Sequence, residues 1–314
     1  MPATGNILRD LVMLGERQLL AETRATDRIC AFLKDAGIPY DVQTFPIQIP
    51  QARSAVLTVD GDAVDCVATC FTSGVIPDKE TIISSAMPMA ESPDLPNINV
   101  NPYCPVISRA NHYRKPAVAV SHAVLTRVLA GKTVRGEVAV ELVAYEAHNI
   151  VVGNIDAPAT VVFTHYDSIG PGAFDNASGT AAVLEALVRS PALREDSLVV
   201  LSGAEELSTD LPYYWGAGYR RFQERHPDVL ARAQSIVVVD SVGRGAIGAI
   251  TDARTVRRAF PLADMETLLP KIRLIAGSLE GLMPVYHSAL DTMDVIDEAS
   301  IAAATDLLLR SCGK

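Results

Sequence analysis

The stretch ATVVFTHYDS at residues 159–168 decides the fold, because it is an apolar, β-branched run that ends in polar residues. Two runs of the same kind follow, SLVVLSGAEEL at 197–207 and SIVVVDSVG at 235–243. Such runs are typical of strands that are buried on both faces of a parallel sheet. The segment ASGTAAVLEALVRS at 177–190 has helical spacing, so strands and helices alternate. We therefore predict an α/β fold, a three-layer α/β/α sandwich around a mostly parallel, mixed central sheet.

Each of these strands ends at residues that can bind a metal ion. His165 follows the first apolar run, Glu205 and Glu206 follow the second, and Asp240 follows the third. Parallel strands present their carboxyl ends along one edge of a sheet, so the sequence predicts that these residues are neighbours in the fold.

Two loop motifs supply further candidates. Asp175 lies in GAFDNASG at 172–179, and His287 lies in YHSALDT at 286–292. The full set then contains two imidazoles and four carboxylates. Two imidazoles and three carboxylates can hold two zinc-like ions, which leaves one carboxylate for proton transfer.

The order and context of these motifs resemble the M28 family of metallopeptidases, whose members include zinc aminopeptidases, carboxypeptidases and glutaminyl cyclases. The resemblance covers about residues 5–50 and 147–310. Each motif alone would be weak evidence, but five motifs in the family's order are specific. The resemblance implies two co-catalytic Zn²⁺ ions, with Glu205 as the general base. It implies the following ligands: His165 and Asp240 for one ion, Glu206 and His287 for the other, and Asp175 as the bridge between them.

Two further carboxylates are predicted to support the ligands. Asp167 lies two residues after His165, and Asp291 lies four residues after His287. Carboxylates that contact a ligating histidine commonly fix its tautomer and its angle. We group Asp167 with Glu205 as a catalytic residue.

The paired glutamates require a local turn. Consecutive residues on a strand point in opposite directions, so Glu205 and Glu206 can share a site only if the backbone turns there.

Two residues are candidates for substrate binding. Tyr286 is a candidate for contact with the substrate or its oxyanion, and Arg244 for binding a substrate carboxylate.

Changes in the spacing of apolar residues along the sequence divide the chain into three regions. Residues 1–51 are predicted to form the N-terminal helix and strand of the peptidase domain, with the helix at 6–36 broken near 22–26. Residues 52–146 read as a β-rich inserted subdomain, and residues 147–314 as the catalytic core.

The inserted region has a loop-rich segment, MPMAESPDLPNINVNPYCP, at 87–105. The stretch 115–145 is predicted to form a strand, a short helix and a hairpin. In M28 relatives a protease-associated insert often lies at this place, so a shortened form of it is one interpretation. A structural cap and a specificity lid are both open as roles for the insert.

Composition excludes several classes of protein. The chain is 49% hydrophobic and 20% charged, with a formal net charge of −10 and no Lys/Arg-rich run, so we expect no nucleic-acid or membrane partner. No transmembrane segment or secretory signal is visible in the sequence, which predicts a cytoplasmic protein. The five scattered cysteines predict reduced thiols. The sequence gives no oligomeric state.

A formal GxGxxG motif, GRGAIG at 243–248, follows the third strand. The sequence continues in a strand-like manner, AIGAITDAR at 246–254, and no helix opens at the glycines. We therefore predict no dinucleotide site.

The leading hypothesis is a metallo-aminopeptidase that acts on a peptide or small amide. An M28-type carboxypeptidase is an alternative, for which Arg244 would bind the terminal carboxylate. A glutaminyl-cyclase-like acyltransferase, which would need one zinc, is another. A catalytically silent binding protein should have lost a ligand or the base, and the sequence has lost neither.

Overall fold

The computed structural model describes residues 3–86 and 93–314. Positions 87–92, which begin the loop-rich segment predicted above, lie outside the described residues. Contacts between residues group the chain into two compact units. The first unit comprises the chain up to Ile47 together with Tyr145–Leu282 and Asp291–Lys314, and the second comprises Gln48–Ala144 and Met283–Leu290. The second unit thus combines the inserted region with a short C-terminal segment.

The described residues form helices and strands in both units. The helices are α1 (Ala3–Met13), α2 (Leu20–Asp35), α3 (His122–Ala130), α4 (Ser178–Arg189), α5 (Pro191–Asp196), α6 (Ala217–Arg225), α7 (Pro227–Arg232), α8 (Ala253–Ala259), α9 (Met265–Leu268), α10 (Leu279–Leu282) and α11 (Glu298–Ser311). The strands are β1 (Asp41–Val59), β2 (Asp62–Val64), β3 (Val67–Ala68), β4 (Gly74–Ile76), β5 (Ile82–Ser84), β6 (Asn97–Val100), β7 (Ala117–Ala119), β8 (Val134–Gly153), β9 (Thr160–His165), β10 (Ser197–Ser202), β11 (Ser235–Val239), β12 (Gly248–Ile250) and β13 (Ile272–Ala276). A kinked turn with non-helical φ and ψ angles at Asp175 and Asn176 spans Ala173–Ala177, and 3₁₀ turns span Leu269–Lys271 and Met293–Val295. Within this part of the chain, no helix combines the length and the apolar character needed to cross a membrane.

The central sheet of the first unit has the strand order β12-β13-β11-β9-β10-β8. Neighbouring strands from β13 to β10 are parallel, whereas β12 and β8 at the two ends are antiparallel to their neighbours. Every residue of β9 and β10 is buried, as parallel strands covered on both faces require. Val162 and Val199 pack with residues of α1, α2, α4 and α11, and Phe163 and Val200 pack with residues of α6, α7 and α8. The predicted three-layer α/β/α sandwich is confirmed.

The helix predicted at 6–36 is two helices, and the predicted position of its break is wrong. Residues 14–19 separate α1 from α2. Gly15 and Leu19 in this connector have φ angles of 72° and 54°, which lie outside the right-handed helical region. Between them lies Arg17, whose side chain is fully buried. The side chain of Arg17 donates hydrogen bonds to carbonyl oxygens of residues 166–172, and these contacts keep the connector in a non-helical conformation.

The second unit is β-rich, as predicted. Its four-stranded sheet has the order β3-β7-β6-β5, and in addition β2 pairs with β1 and β4 pairs with β8. The predicted hairpin after α3 is wrong, because the chain continues there as the single strand β8. Gly136 suggests a turn in the sequence but lies inside this strand, opposite Ile76 of β4. A Cβ atom added to Gly136 would lie 3.2 Å from the carbonyl oxygen of Val56, so this glycine permits close packing of the strands.

Candidate metal centre

Three of the predicted ligands form a buried group at the end of the sheet. His165 is the last residue of β9, Asp175 lies in the kinked turn at Ala173–Ala177, and Glu206 lies beyond the end of β10. One ligand atom from each residue lies within 4.8 Å of those of the other two. Asp240, directly after β11, is also close, with its Oδ1 3.5 Å from His165 Nε2. The sheet edge therefore brings together four of the five predicted ligands.

The distances in this group fit a shared zinc ion better than they fit hydrogen bonds. His165 Nε2 lies 3.3 Å from Asp175 Oδ1 and 3.5 Å from Asp240 Oδ1. Charge-assisted N–H···O bonds are about 2.7–2.9 Å long, so both separations are too long for strong hydrogen bonds. Two atoms bound to a tetrahedral zinc ion at about 2.0–2.2 Å lie roughly 3.4 Å apart. The chemistry and the spacing of these donors therefore fit zinc.

Asp167 connects the histidine to the paired glutamates. Its Oδ1 accepts a hydrogen bond from the backbone N–H of Glu205 at 3.0 Å, and its Oδ2 accepts one from Glu206 at 3.0 Å. Its Oδ1 also lies 3.5 Å from His165 Nδ1. Asp167 thus fixes the main chain of both glutamates, in addition to its predicted place beside the histidine.

The turn predicted at the paired glutamates is confirmed. Strand β10 ends at Ser202, and Ala204 has a φ of 53°, so the chain bends immediately before Glu205. Burial raises the pKa of the Glu205 carboxyl well above its usual range, although the nearby His165 opposes that rise. The neighbouring carboxylates, Glu206 first, raise it further. Glu205 is therefore a carboxyl whose proton affinity is increased by its surroundings.

Asp291 orients the loop that carries Asp175. Its two carboxylate oxygens accept hydrogen bonds from the backbone N–H groups of Phe174 at 2.6 Å and Asp175 at 3.1 Å. Burial raises the pKa of Asp291 to about 6, against the effect of these two hydrogen bonds. The sequence had linked Asp291 to His287, whereas these contacts link it to Asp175.

Gly243 of the formal GxGxxG motif also serves this loop. A Cβ atom at Gly243 would lie 2.7 Å from Ile296 Cδ1 and 3.0 Å from Phe174 Cδ2. The glycine therefore gives room to the buried Phe174 ring beside Asp175. The chain continues from this motif into β12 and not into a helix, in line with the sequence-based exclusion of a dinucleotide site.

His287 belongs to the second unit, where the inserted region holds it. The backbone N–H of Arg109 donates to the carbonyl oxygen of His287 at 2.9 Å, and His287 Nδ1 lies 3.2 Å from the carbonyl oxygen of Arg109. Ser108 Oγ donates to the carbonyl oxygen of the preceding Tyr286 at 2.6 Å. Donation from Nδ1–H to a carbonyl favours the tautomer whose Nε2 carries the lone pair that a metal ligand needs. The role of His287 as a ligand stays a prediction.

The two predicted substrate-binding residues lie in different surroundings. Tyr286 is half-buried and stacks on His287, with a ring-centroid distance of 3.7 Å and an interplanar angle of 26°. Arg244 is exposed. Their roles in substrate binding stay predictions.

Sequence reasoning missed a buried hydrogen-bond network that contacts the main chain at Gly203, two residues before Glu205. Glu22 Oε2 lies 3.0 Å from His148 Nδ1, and Glu22 Oε1 accepts hydrogen bonds from His148 N–H at 3.0 Å and from Tyr166 Oη at 2.6 Å. The carbonyl oxygen of His148 in turn accepts from the backbone N–H of Gly203 at 2.8 Å. Glu22 and His148 lie 126 positions apart and belong to no motif, so the sequence carries no signal for this network.

The Glu22–His148 pair predicts a pH-dependent part of the stability. The hydrogen bond to Glu22 raises the pKa of His148 above its ordinary 6.5, while burial acts in the opposite direction. A histidine whose pKa is raised in the folded state stabilises that state fully at pH values below its ordinary pKa. This stabilisation is lost as the pH rises through the raised pKa. The Tm difference between wild type and His148→Asn should therefore shrink as the pH rises. Thermal melts from about pH 5.5 to 9 test this; a difference independent of pH would contradict it.

A family model described as "Peptidase family M28" matches residues 149–264. The predicted resemblance to family M28 is confirmed. The matched segment contains every proposed M28 ligand of the first unit and both glutamates. No curated protein sequence matches the chain significantly.

Solved structures share the fold over nearly the whole chain. A zinc aminopeptidase from Bacillus subtilis, BSAP, has 19% identity and a TM-score of 0.66, covering 98% of this chain and 93% of its own. The aminopeptidase from Aneurinibacillus sp. strain AM-1 has 17% identity and a TM-score of 0.65, covering 98% and 92%. The glutaminyl cyclase of Tannerella forsythia has 17% identity and a TM-score of 0.53, covering 99% and 97%. The M28 match supports a metallopeptidase that acts on peptides.

Proposed function

We propose that the protein is a zinc-dependent exopeptidase that removes N-terminal residues from peptides. The observation that carries this proposal is the buried group of His165, Asp175 and Glu206, with Asp240 at ligand spacing from the same histidine. The M28 match supports peptide hydrolysis, and the likeness to the B. subtilis zinc aminopeptidase supports the choice of metal and of the peptide end.

The proposed ligands divide between two zinc ions. We assign His165 and Asp240 to one ion, Glu206 to the other, and the bridging position to Asp175. The resemblance to M28 assigns His287 to the second ion, and this assignment remains a prediction from the sequence. When bound, zinc would polarise the scissile carbonyl and lower the pKa of the attacking water.

Glu205 is the proposed proton carrier. It accepts a proton from the attacking water and donates one to the nitrogen of the leaving amine. Asp167 fixes its backbone, and the surrounding carboxylates increase its proton affinity. A carboxyl with an increased proton affinity takes the proton of the attacking water more readily.

The acidity of the site supports the selection of a substrate's amino terminus. The carboxylates of Asp167, Asp175, Glu205, Glu206 and Asp240 converge on it. With two zinc ions bound, these five carboxylates would still leave a net charge of about −1, which attracts an ammonium group and repels a carboxylate. The cation predicted to bind a substrate carboxylate, Arg244, is exposed.

Blocked dipeptides test which end is recognised. We expect N-acetylation to lower kcat/KM by about 100-fold, since removing one charged partner of a close pair costs about 2–5 kcal/mol, and amidation of the carboxyl end to have a much smaller effect. Steady-state kinetics on the unblocked, acetylated and amidated forms of one dipeptide measure this. The reverse order would identify a carboxypeptidase.

Cyclisation is the second candidate function, favoured by the likeness to the T. forsythia glutaminyl cyclase. A peptide with N-terminal glutamine distinguishes the two reactions by mass spectrometry. Hydrolysis releases glutamine, whereas cyclisation leaves the peptide intact and lighter by one ammonia. Failure of both reactions in the zinc-loaded protein would leave the carboxypeptidase, which the blocked dipeptides identify, or the silent binding protein.

A further inference from the structure

Arg17 is a buried cation that binds the loop between two proposed zinc ligands. It lies in the connector between α1 and α2, and its side chain is fully buried. Its Nε donates to the carbonyl oxygen of Tyr166. Its Nη1 donates to Pro171 O at 2.6 Å and to Leu11 O at 3.3 Å, and its Nη2 donates to Gly172 O at 2.9 Å. The guanidinium fork thus spans both ends of residues 166–172.

This loop runs from the residue after His165 to the turn that carries Asp175. Gln18, next to Arg17, extends the contact, because its Nε2 donates to Asp167 Oδ2 at 3.1 Å. The carboxylate of Asp167 in turn accepts hydrogen bonds from the backbone N–H groups of Glu205 and Glu206. The connector is therefore joined by short hydrogen bonds to the chain segments that present most of the site.

The charge of Arg17 also suits this place. Burial lowers the pKa of Arg17 to about 10, so the guanidinium is still protonated at neutral pH. A buried cation whose hydrogen bonds go to neutral carbonyls needs compensation from nearby negative charge. The carboxylates that supply it are Asp167, Asp291, Glu206 and Asp175.

We propose that Arg17 is a positioning residue that holds the loop at 166–172, and with it His165 and Asp175, in the zinc-binding arrangement before metal binds. This inference rests on the proposed zinc site. A purely structural role would lower the stability of the fold without a particular effect on zinc. The proposed role changes zinc affinity and the local order of the loop.

Three variants separate these roles. Arg17→Lys keeps the charge but replaces the planar fork by a single nitrogen, which cannot span the same carbonyls. Arg28→Lys, at an exposed position of α2, makes the same chemical change away from the site. Leu33→Ala removes a buried apolar side chain of α2 and provides a destabilised control.

Zinc affinity is measured by competition with a chromophoric chelator, and hydrogen exchange is measured on the metal-free proteins. For Arg17→Lys we expect zinc binding weakened about 10- to 100-fold, as for other groups that orient metal ligands. We also expect faster exchange of the amides at 166–175. Arg28→Lys and Leu33→Ala should keep wild-type zinc affinity, whatever their Tm.

Wild-type zinc affinity together with wild-type hydrogen exchange in Arg17→Lys would overturn the inference. A loss of zinc affinity in Leu33→Ala as large as that in Arg17→Lys would overturn it too. If Arg17→Lys does not fold, Gln18→Leu, which removes the contact with Asp167, replaces it with the same expected weakening and the same overturning result. Activity is scored separately. Wild-type zinc binding without peptide cleavage would refute the proposed exopeptidase and leave this inference intact, whereas a wild-type protein that binds no zinc would refute both.

Discussion

Replacing Glu205 by glutamine is expected to lower kcat by about 10²- to 10⁴-fold, the usual contribution of a positioned general base, while zinc content stays at the wild-type level. Glutamine keeps the size of the side chain but cannot carry a proton between water and the leaving amine. The hydrogen bond to Asp167 comes from the backbone N–H of residue 205, so the substitution leaves it in place. Steady-state kinetics together with elemental analysis of the desalted protein measure both quantities.

The adjacent residue provides the matched control. Glu206→Gln makes the same chemical change one position along, but Glu206 belongs to the buried group with His165 and Asp175. Its loss should weaken zinc binding, and added zinc should restore part of the activity. If Glu205→Gln lost zinc while Glu206→Gln kept full occupancy, the roles of the two glutamates would be reversed.

The sheet and the ligands at its edge could be predicted because they depend on simple rules. An apolar run buried on both faces identifies a parallel strand without knowledge of its partners. The carboxyl ends of such strands meet at one edge, whatever the order of the strands. His165 ends β9, while Glu206 and Asp240 lie after the ends of β10 and β11, so their proximity follows from strand ends alone.

The N-terminal connector could not be predicted in the same way. Arg17 binds carbonyl oxygens about 150 positions away in sequence, and a backbone carbonyl leaves no mark on the residue type that carries it. The hydrophobic periodicity therefore predicts the break between the two helices near residues 22–26, whereas it lies at residues 14–19. The contacts of Arg17 and the positive φ angles of Gly15 and Leu19 decide its position.

The motif YHSALDT shows a second limit of sequence spacing. His287 and Asp291 are four residues apart, which suggested a shared role. In the structure they belong to different units: Arg109 binds the main chain of His287, and the carboxylate of Asp291 binds the main chain of Asp175. Proximity along a loop does not specify which part of the fold each residue contacts.

Removing bound metal is expected to abolish hydrolysis and to lower Tm by about 6 °C. The proposed ligands Asp175, Glu206 and Asp240 lie close together at one end of the sheet, and chelation would remove the cation between these carboxylates. Zinc at about 1,000 times its Kd contributes roughly 4 kcal/mol to the free energy of unfolding. For a chain of 314 residues each kcal/mol corresponds to roughly 1.5 °C in Tm. Calorimetry before chelation, after it and after zinc is restored measures the effect.

Acidification should reduce the difference in stability between the metal-free and the zinc-loaded forms. In the metal-free protein, burial raises the pKa of Asp291 to about 6 and that of Glu205 well above its usual range. The folded state then binds protons that the unfolded state releases, so stability should rise as the pH falls from about 7 to 5. In the zinc-loaded protein, protons compete with zinc for the ligands, so stability should fall over the same range. Full activity after exhaustive chelation, with no metal detected and the same pH dependence in both preparations, would refute the zinc site.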